Sequence, residues 1–87
     1  MHNKEYVRRL ANFLRSNGTI MAATELAEHL NRNGFKTTTG SEYEGGRGTY
    51  TLIHATYDWL VSIKAPDDAE NVAKAFSKPN GDYAYNN

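Results

Sequence analysis

The chain has 87 residues and balances ten Lys and Arg against ten Asp and Glu, so its formal net charge is zero. This length allows one small domain with one modest core and excludes two lobes closing around a substrate, while neutrality weighs against a strongly basic nucleic-acid binder. A hydrophobic fraction of 39% argues for a folded chain rather than a disordered one, and the absence of cysteine removes disulfides and cysteine-zinc sites together.

From Lys4 to Ser16 the apolar residues Tyr6, Val7, Leu10, Phe13 and Leu14 recur at helical spacing, with Lys4, Glu5, Arg8, Arg9, Asn12 and Arg15 on the other face. Asn3 is the expected cap of this first helix and Asn17-Gly18 its expected end. A second helix is predicted over residues 22–32, with Ala23, Leu26, Ala27 and Leu30 on one stripe and Glu25 as a capping-box acid served by Thr19. Asn33-Gly34 closes it in the same way as the first.

Residues 34–50 hold five of the seven glycines, four threonines and almost nothing aliphatic. Thr49 is the natural cap of a third helix, whose wheel gathers Leu52, Ile53, Thr56, Tyr57, Trp59, Leu60, Val61 and Ile63. Arg47, Thr51, His54, Ala55, Asp58 and Ser62 lie opposite. Pro66, Asp67 and Asp68 open a fourth helix that continues through Val72, Ala73 and Phe76 to Ser77. Lys78-Pro79-Asn80-Gly81 stops it. Residues 1–78 thus form one domain and residues 79–87 an aromatic tail, which is a short strand, a segment that packs back, or a frayed end. Tyr83 and Tyr85 share one side of that tail if it is extended.

Helix, helix, irregular connector, helix is the order of a helix-turn-helix or winged-helix domain. The expected fold is therefore mainly α: a bundle of about four helices with a long Gly/Thr-rich loop or a small β-hairpin. Within it, Leu26, Ala27, Leu30, Asn31, Gly34, Phe35, Thr37, Gly40 and Tyr43 follow one another in an LN-x-x-G-x-x-T-x-x-G-x-x-aromatic run. That run resembles the helix-turn-helix segment in the DNA-binding region of large serine recombinases and related phage and plasmid proteins. It covers about a third of the chain, and its register asks for an insertion at residues 44–48. The resemblance implies DNA binding without strand exchange, in a protein of a phage, plasmid or other mobile element.

The residues themselves support two kinds of reading. Leu26, Ala27 and Leu30 are core, Asn31 bonds free helix carbonyls or leads into the turn, and Gly34 supplies a positive φ. Lys36, Thr37, Thr38, Thr39, Ser41 and Arg47 are the short hydroxyls and cations that contact phosphate oxygens, with Thr49 at the helix start. Thr51, His54 and Ala55 form a face of short side chains suited to base edges in a major groove, although Asp58 beside them repels phosphate. Arg8, Arg9 and Arg15 add candidate backbone contacts. Double-stranded DNA is the expected partner on this reading, in a transcription-regulating or architectural role.

Two other readings stand beside it. Zero net charge and the aromatic tail suit a protein-interaction adaptor, with a partner or a second copy held through Tyr83 and Tyr85. The Gly45-Gly46-Arg47-Gly48 turn suits a nucleotide phosphate, but without the lysine and hydroxyl of a P-loop. His2, His29 and His54 lack metal-ligand spacing and no nucleophile motif occurs, so no enzyme, catalytic residue, metal or cofactor is expected. The N-terminal segment lacks the apolar core of a signal peptide and no run is long enough to span a bilayer. The expected location is cytoplasmic, with no membrane contact.

Overall fold

Apolar residues at helical spacing shape the first element, α1 (Asn3–Ser16), in a computed structural model that describes residues 2–44 and 47–85, Arg47 by its backbone alone. Val7, Ala11 and Leu14 are its buried residues. The cap is His2 rather than Asn3: the His2 Nδ1 accepts from the Glu5 N–H at 3.4 Å, which leaves the Asn3 amide for another task. A two-residue strand, β1 (Met21–Ala22), leads into α2 (Ala23–Arg32). Ala22 precedes α2 without any side-chain cap bond, and the Thr19 hydroxyl donates to the Asn17 carbonyl instead of serving this helix.

The next helix, α3 (Arg47–Ser62), begins two residues before Thr49, so Thr49 is an interior residue of its first turn and not its cap. Then follow α4 (Pro66–Ala75) and β2 (Phe76–Ser77). Helix four ends two residues earlier than expected because Phe76 turns extended, with φ −126° and ψ 145°. Its ring becomes completely buried. β1 and β2 pair in parallel, Met21 beside Phe76 and Ala22 beside Ser77.

Three helices end alike, each with a six-to-one bond from an N–H past the turn back to a carbonyl inside. These run from Thr19 to Leu14 at 2.9 Å, from Phe35 to Leu30 at 3.0 Å, and from Ala65 to Leu60 at 2.8 Å. Such an end needs one residue at positive φ. Gly18 (65°) and Gly34 (81°) supply it for α1 and α2, as expected, but α3 uses Lys64 at 61°.

Of the two alternatives for the Gly/Thr-rich segment, loop or small hairpin, the described residues form the loop, and a hairpin stands where none was expected. At the chain's end the Lys78 N–H donates to the Asp82 carbonyl at 2.8 Å and the Gly81 N–H to the Lys78 carbonyl at 3.0 Å. Gly81 stands at φ 91°, and Ser77 bridges antiparallel to Tyr83. This is a three-residue hairpin loop with Pro79 and Asn80 at its centre. The Gly/Thr-rich loop carries the same turn: Thr37 N–H to Ser41 carbonyl and Gly40 N–H to Thr37 carbonyl, both 2.9 Å, with Gly40 at φ 83°. There it closes a loop and no strands flank it among the described residues.

α1 packs on α4 and α3, and α3 on α4 and α2, around a core that includes Val7, Leu26, Leu30, Ile53, Leu60, Val72 and Phe76. Burying each of these large side chains contributes about 1.5–3 kcal/mol against the entropy of ordering the chain. Polar braces fix the α1–α4 pair: Arg8 Nε donates to an Asp68 carboxylate oxygen at 2.7 Å and the Asn71 amide to the Asn12 side-chain oxygen at 2.9 Å. On α4 the Lys74 ammonium, hydrogen-bonded at 2.7 Å, holds the exposed Glu70 carboxyl below its ordinary value, and Glu70 in turn raises Lys74. The wheel expected Val61 and Ile63 in the apolar arc, yet they are 52% and 47% exposed: Leu60 takes the core position in the last turn of α3, and Ile63 lies past the helix end. No helix among the described residues is long and apolar enough to cross a membrane.

Candidate nucleic-acid interface

The long loop is gripped at its backbone by a side chain of α2. Asn31, in the last turns of α2, donates from its amide to the Tyr43 carbonyl at 2.7 Å and accepts from the Tyr43 N–H, also at 2.7 Å. A primary amide is the only uncharged side-chain group that offers donor and acceptor in that arrangement. Asn31 therefore does not bond helix carbonyls, as the sequence suggested, but grips the loop backbone. Tyr43 is buried in consequence, and its hydroxyl donates to the Lys36 carbonyl at 3.2 Å while accepting from the Asn3 amide at 2.5 Å. The spacing of Asn31 and Tyr43 is thus a folding device: it lays residues 36–44 across the N-terminal turns of α3.

Below Tyr43, the buried Thr49 hydroxyl donates to the Glu44 carbonyl, which ties the loop's far end to α3. Gly48 has φ outside the positive region, and a Cβ placed there meets Thr37 Cγ2 at 3.7 Å and Tyr43 Cδ1 at 3.8 Å, ordinary contacts that show how closely the loop lies on the helix.

Laid down in this way, the loop and helix enclose a groove of about 570 Å³. Thr37, Thr38, Thr39 and Ser41 line one wall, Thr51, Leu52 and Ala55 of α3 the other, and Asn3 and Lys4 of α1 close an end. The Thr37, Thr39 and Ser41 hydroxyls are spaced at 3.1 and 3.5 Å, and Thr37 Oγ1 also accepts from the Ser41 N–H at 3.1 Å, so these three stiffen the turn. The Thr38 hydroxyl is exposed and has no hydrogen bond among the described residues. A more open hollow of about 520 Å³ continues along α3 past Tyr50, Thr51, His54, Ala55 and Asp58. Thr51 and Ala55 belong to both, so the two form one concave surface.

Of the ten residues picked from the sequence, seven reach this surface: Thr37, Thr38, Thr39, Ser41, Thr51, His54 and Ala55. Lys36 is exposed but lines neither part. Thr49 does not, since it is completely buried and already bonded. The Arg47 side chain, and with it the Gly45-Gly46 half of the supposed phosphate cradle, lies outside the described residues. Arg8 is committed to Asp68 and Glu5 and sits over the Trp59 ring at 6.0 Å, whereas Arg9, 66% exposed, has a surface pair with Glu5 at 3.6 Å. Sequence reasoning missed Asn3 and Lys4 as site residues, reading them only as the cap and the polar face of the first helix.

Charge on the surface is mixed. Lys4 stands against Glu42 and Glu44 at the groove, and Asp58 edges the hollow. Among the described residues no group of three or more His, Asp or Glu side chains is placed to hold a metal ion. Tyr85 packs onto α3 instead of facing outward with Tyr83: its ring stacks on Tyr57 at 4.0 Å and 20° and leans on His54 at 4.7 Å. Only Tyr83, 44% exposed, remains available to a partner.

The likeness to the recombinase segment rests on these residues alone: comparison with protein-family models, curated proteins and solved structures finds no match.

Proposed function

We propose that the protein binds double-stranded DNA through the concave surface formed by the Thr37–Ser41 turn and the outer face of α3. The observation that carries this reading is the meeting, in one continuous hollow, of a hydroxyl-bearing turn and a helix face of short side chains at Thr51, His54 and Ala55. The turn contacts phosphate oxygens, and the helix face approaches base edges in the major groove through the short side chains of Thr51, His54 and Ala55. The mobile-element setting implied by the LN-x-x-G-x-x-T run belongs to the same proposal.

The cations this reading calls on are few: Lys4, which lines the groove, Lys36, exposed in the loop beside it, and Arg47, by its place in the sequence at the start of α3. Neutralising about three phosphates gives a plot of log affinity against log salt with a slope of about −3. Anisotropy titrations of a mixed duplex from low to physiological salt measure it. A slope of that size, reduced by about one in Lys4→Ala, supports the reading; no duplex binding at low salt contradicts it.

A second reading, a non-enzymatic protein adaptor, is favoured by the carboxylates of Glu42 and Glu44 above the apolar floor of Leu52 and Ala55, which suit a basic segment of a partner. The double variant Glu42→Gln, Glu44→Gln separates the two. It tightens DNA several-fold by removing repulsion if DNA is the ligand, and weakens capture of a basic peptide if a protein is.

A further inference from the structure

The C-terminal hairpin delivers Tyr85 to α3 with little freedom. Ala84, immediately before it, is 1% exposed, and its N–H donates to the Phe76 carbonyl at 2.8 Å. From that anchor the Tyr85 ring lies on Tyr57, centroids 4.0 Å apart and 20° from parallel, and meets the His54 imidazole at 4.7 Å and 46°. His54 lines the open hollow on α3, whereas neither tyrosine does. The aromatic pair therefore backs the imidazole from beside the hollow and does not cover it.

We infer that Tyr85, seated on Tyr57, is a positioning residue that holds His54 in one orientation toward bound DNA. An imidazole presents at least one N–H donor, and purines offer acceptors in the major groove, N7 on both and O6 on guanine. His54 so held reads a purine edge. An imidazole left loose on a helix face loses rotamer freedom when it binds, and one already backed by the Tyr85 ring, itself stacked on Tyr57, avoids that loss. This inference rests on the DNA reading and adds to it the residue that gives one contact its selectivity. It also gives the tail a role that a frayed end or a bare partner contact does not: the hairpin turn, the buried Ala84 and the stacked ring together form a fixed support.

The test compares wild type with Tyr85→Phe, Tyr85→Leu and His54→Ala in two measurements. In the free protein, the His54 ring protons carry a ring-current shift that Tyr85→Phe keeps and Tyr85→Leu loses. Against a panel of duplexes varied one base pair at a time, Tyr85→Leu and His54→Ala lose about three- to tenfold of discrimination at the same purine, while Tyr85→Phe retains it. Should Tyr85→Leu fail to fold, Tyr57→Leu removes the support from beneath. If wild type discriminates and the leucine variants discriminate equally, or if the His54 ring shifts do not respond, the positioning role is overturned and DNA binding stands. If wild type binds no duplex in the panel, the DNA reading fails and takes this role with it.

Discussion

Asn31 and Tyr43 hold the loop with two hydrogen bonds of 2.7 Å between one side chain and one backbone unit. Each such bond contributes about 1 kcal/mol, and truncating the amide leaves both Tyr43 groups seeking water in a half-buried position. Asn31→Ala is therefore expected to lower unfolding free energy by about 2 kcal/mol in a denaturant titration. Asn31→Asp keeps an acceptor for the N–H but sets a carboxylate against the Tyr43 carbonyl, so it recovers little. The sequence showed the spacing of these two residues without showing that they meet, because an amide twelve positions away from its partner has no periodic signature. Thr49 was misplaced for a related reason. A threonine ahead of an apolar run looks like a cap, and only tertiary packing reveals that its hydroxyl is buried and spent on the Glu44 carbonyl.

Among the elements, the helices were largely legible. Val7, Leu14, Leu26 and Leu30 fall at helical spacing, and the pairs Asn17-Gly18 and Asn33-Gly34 mark ends that the positive φ of each glycine makes good. The end of α3 was not, since it uses Lys64 in the left-handed region, where a side chain costs about 1 kcal/mol and no residue preference announces it. Lys64→Gly relieves that strain at a position already committed to the conformation. The expected result is a gain of about 0.5–1 kcal/mol in unfolding free energy, partly offset by the looser unfolded chain. A loss of stability contradicts the assignment of this turn. A small hairpin was one alternative for the threonine-glycine loop, and none was expected at the chain's end. That loop and the Lys78-Pro79-Asn80-Gly81-Asp82 segment share one turn geometry. Only the latter has an extended partner, because Phe76 and Ser77 already pair with β1.

At the scale of the molecule, the four helices and the two-residue parallel pair of the described residues gather within 30 × 29 × 24 Å around one core, with Ile20, Val61 and Ile63 left exposed. What remains outside is the loop, the outer face of α3 and the aromatic hairpin, and these adjoin one another. The glycines and threonines of residues 34–44 form no strand and are held in place. Asn31 and Thr49 pin them so that Thr38, an exposed hydroxyl with no partner among the described residues, stands at the edge of a groove lined by α3. The concavity was invisible in the sequence because it arises from the loop lying across the helix, not from either segment alone. The central claim is that this surface receives DNA, and amide chemical shifts during titration with a mixed duplex at low salt test it most directly. The account predicts movement at Thr37–Ser41 and at Thr51, His54 and Ala55, with α4 unmoved; stationary resonances at those positions contradict it.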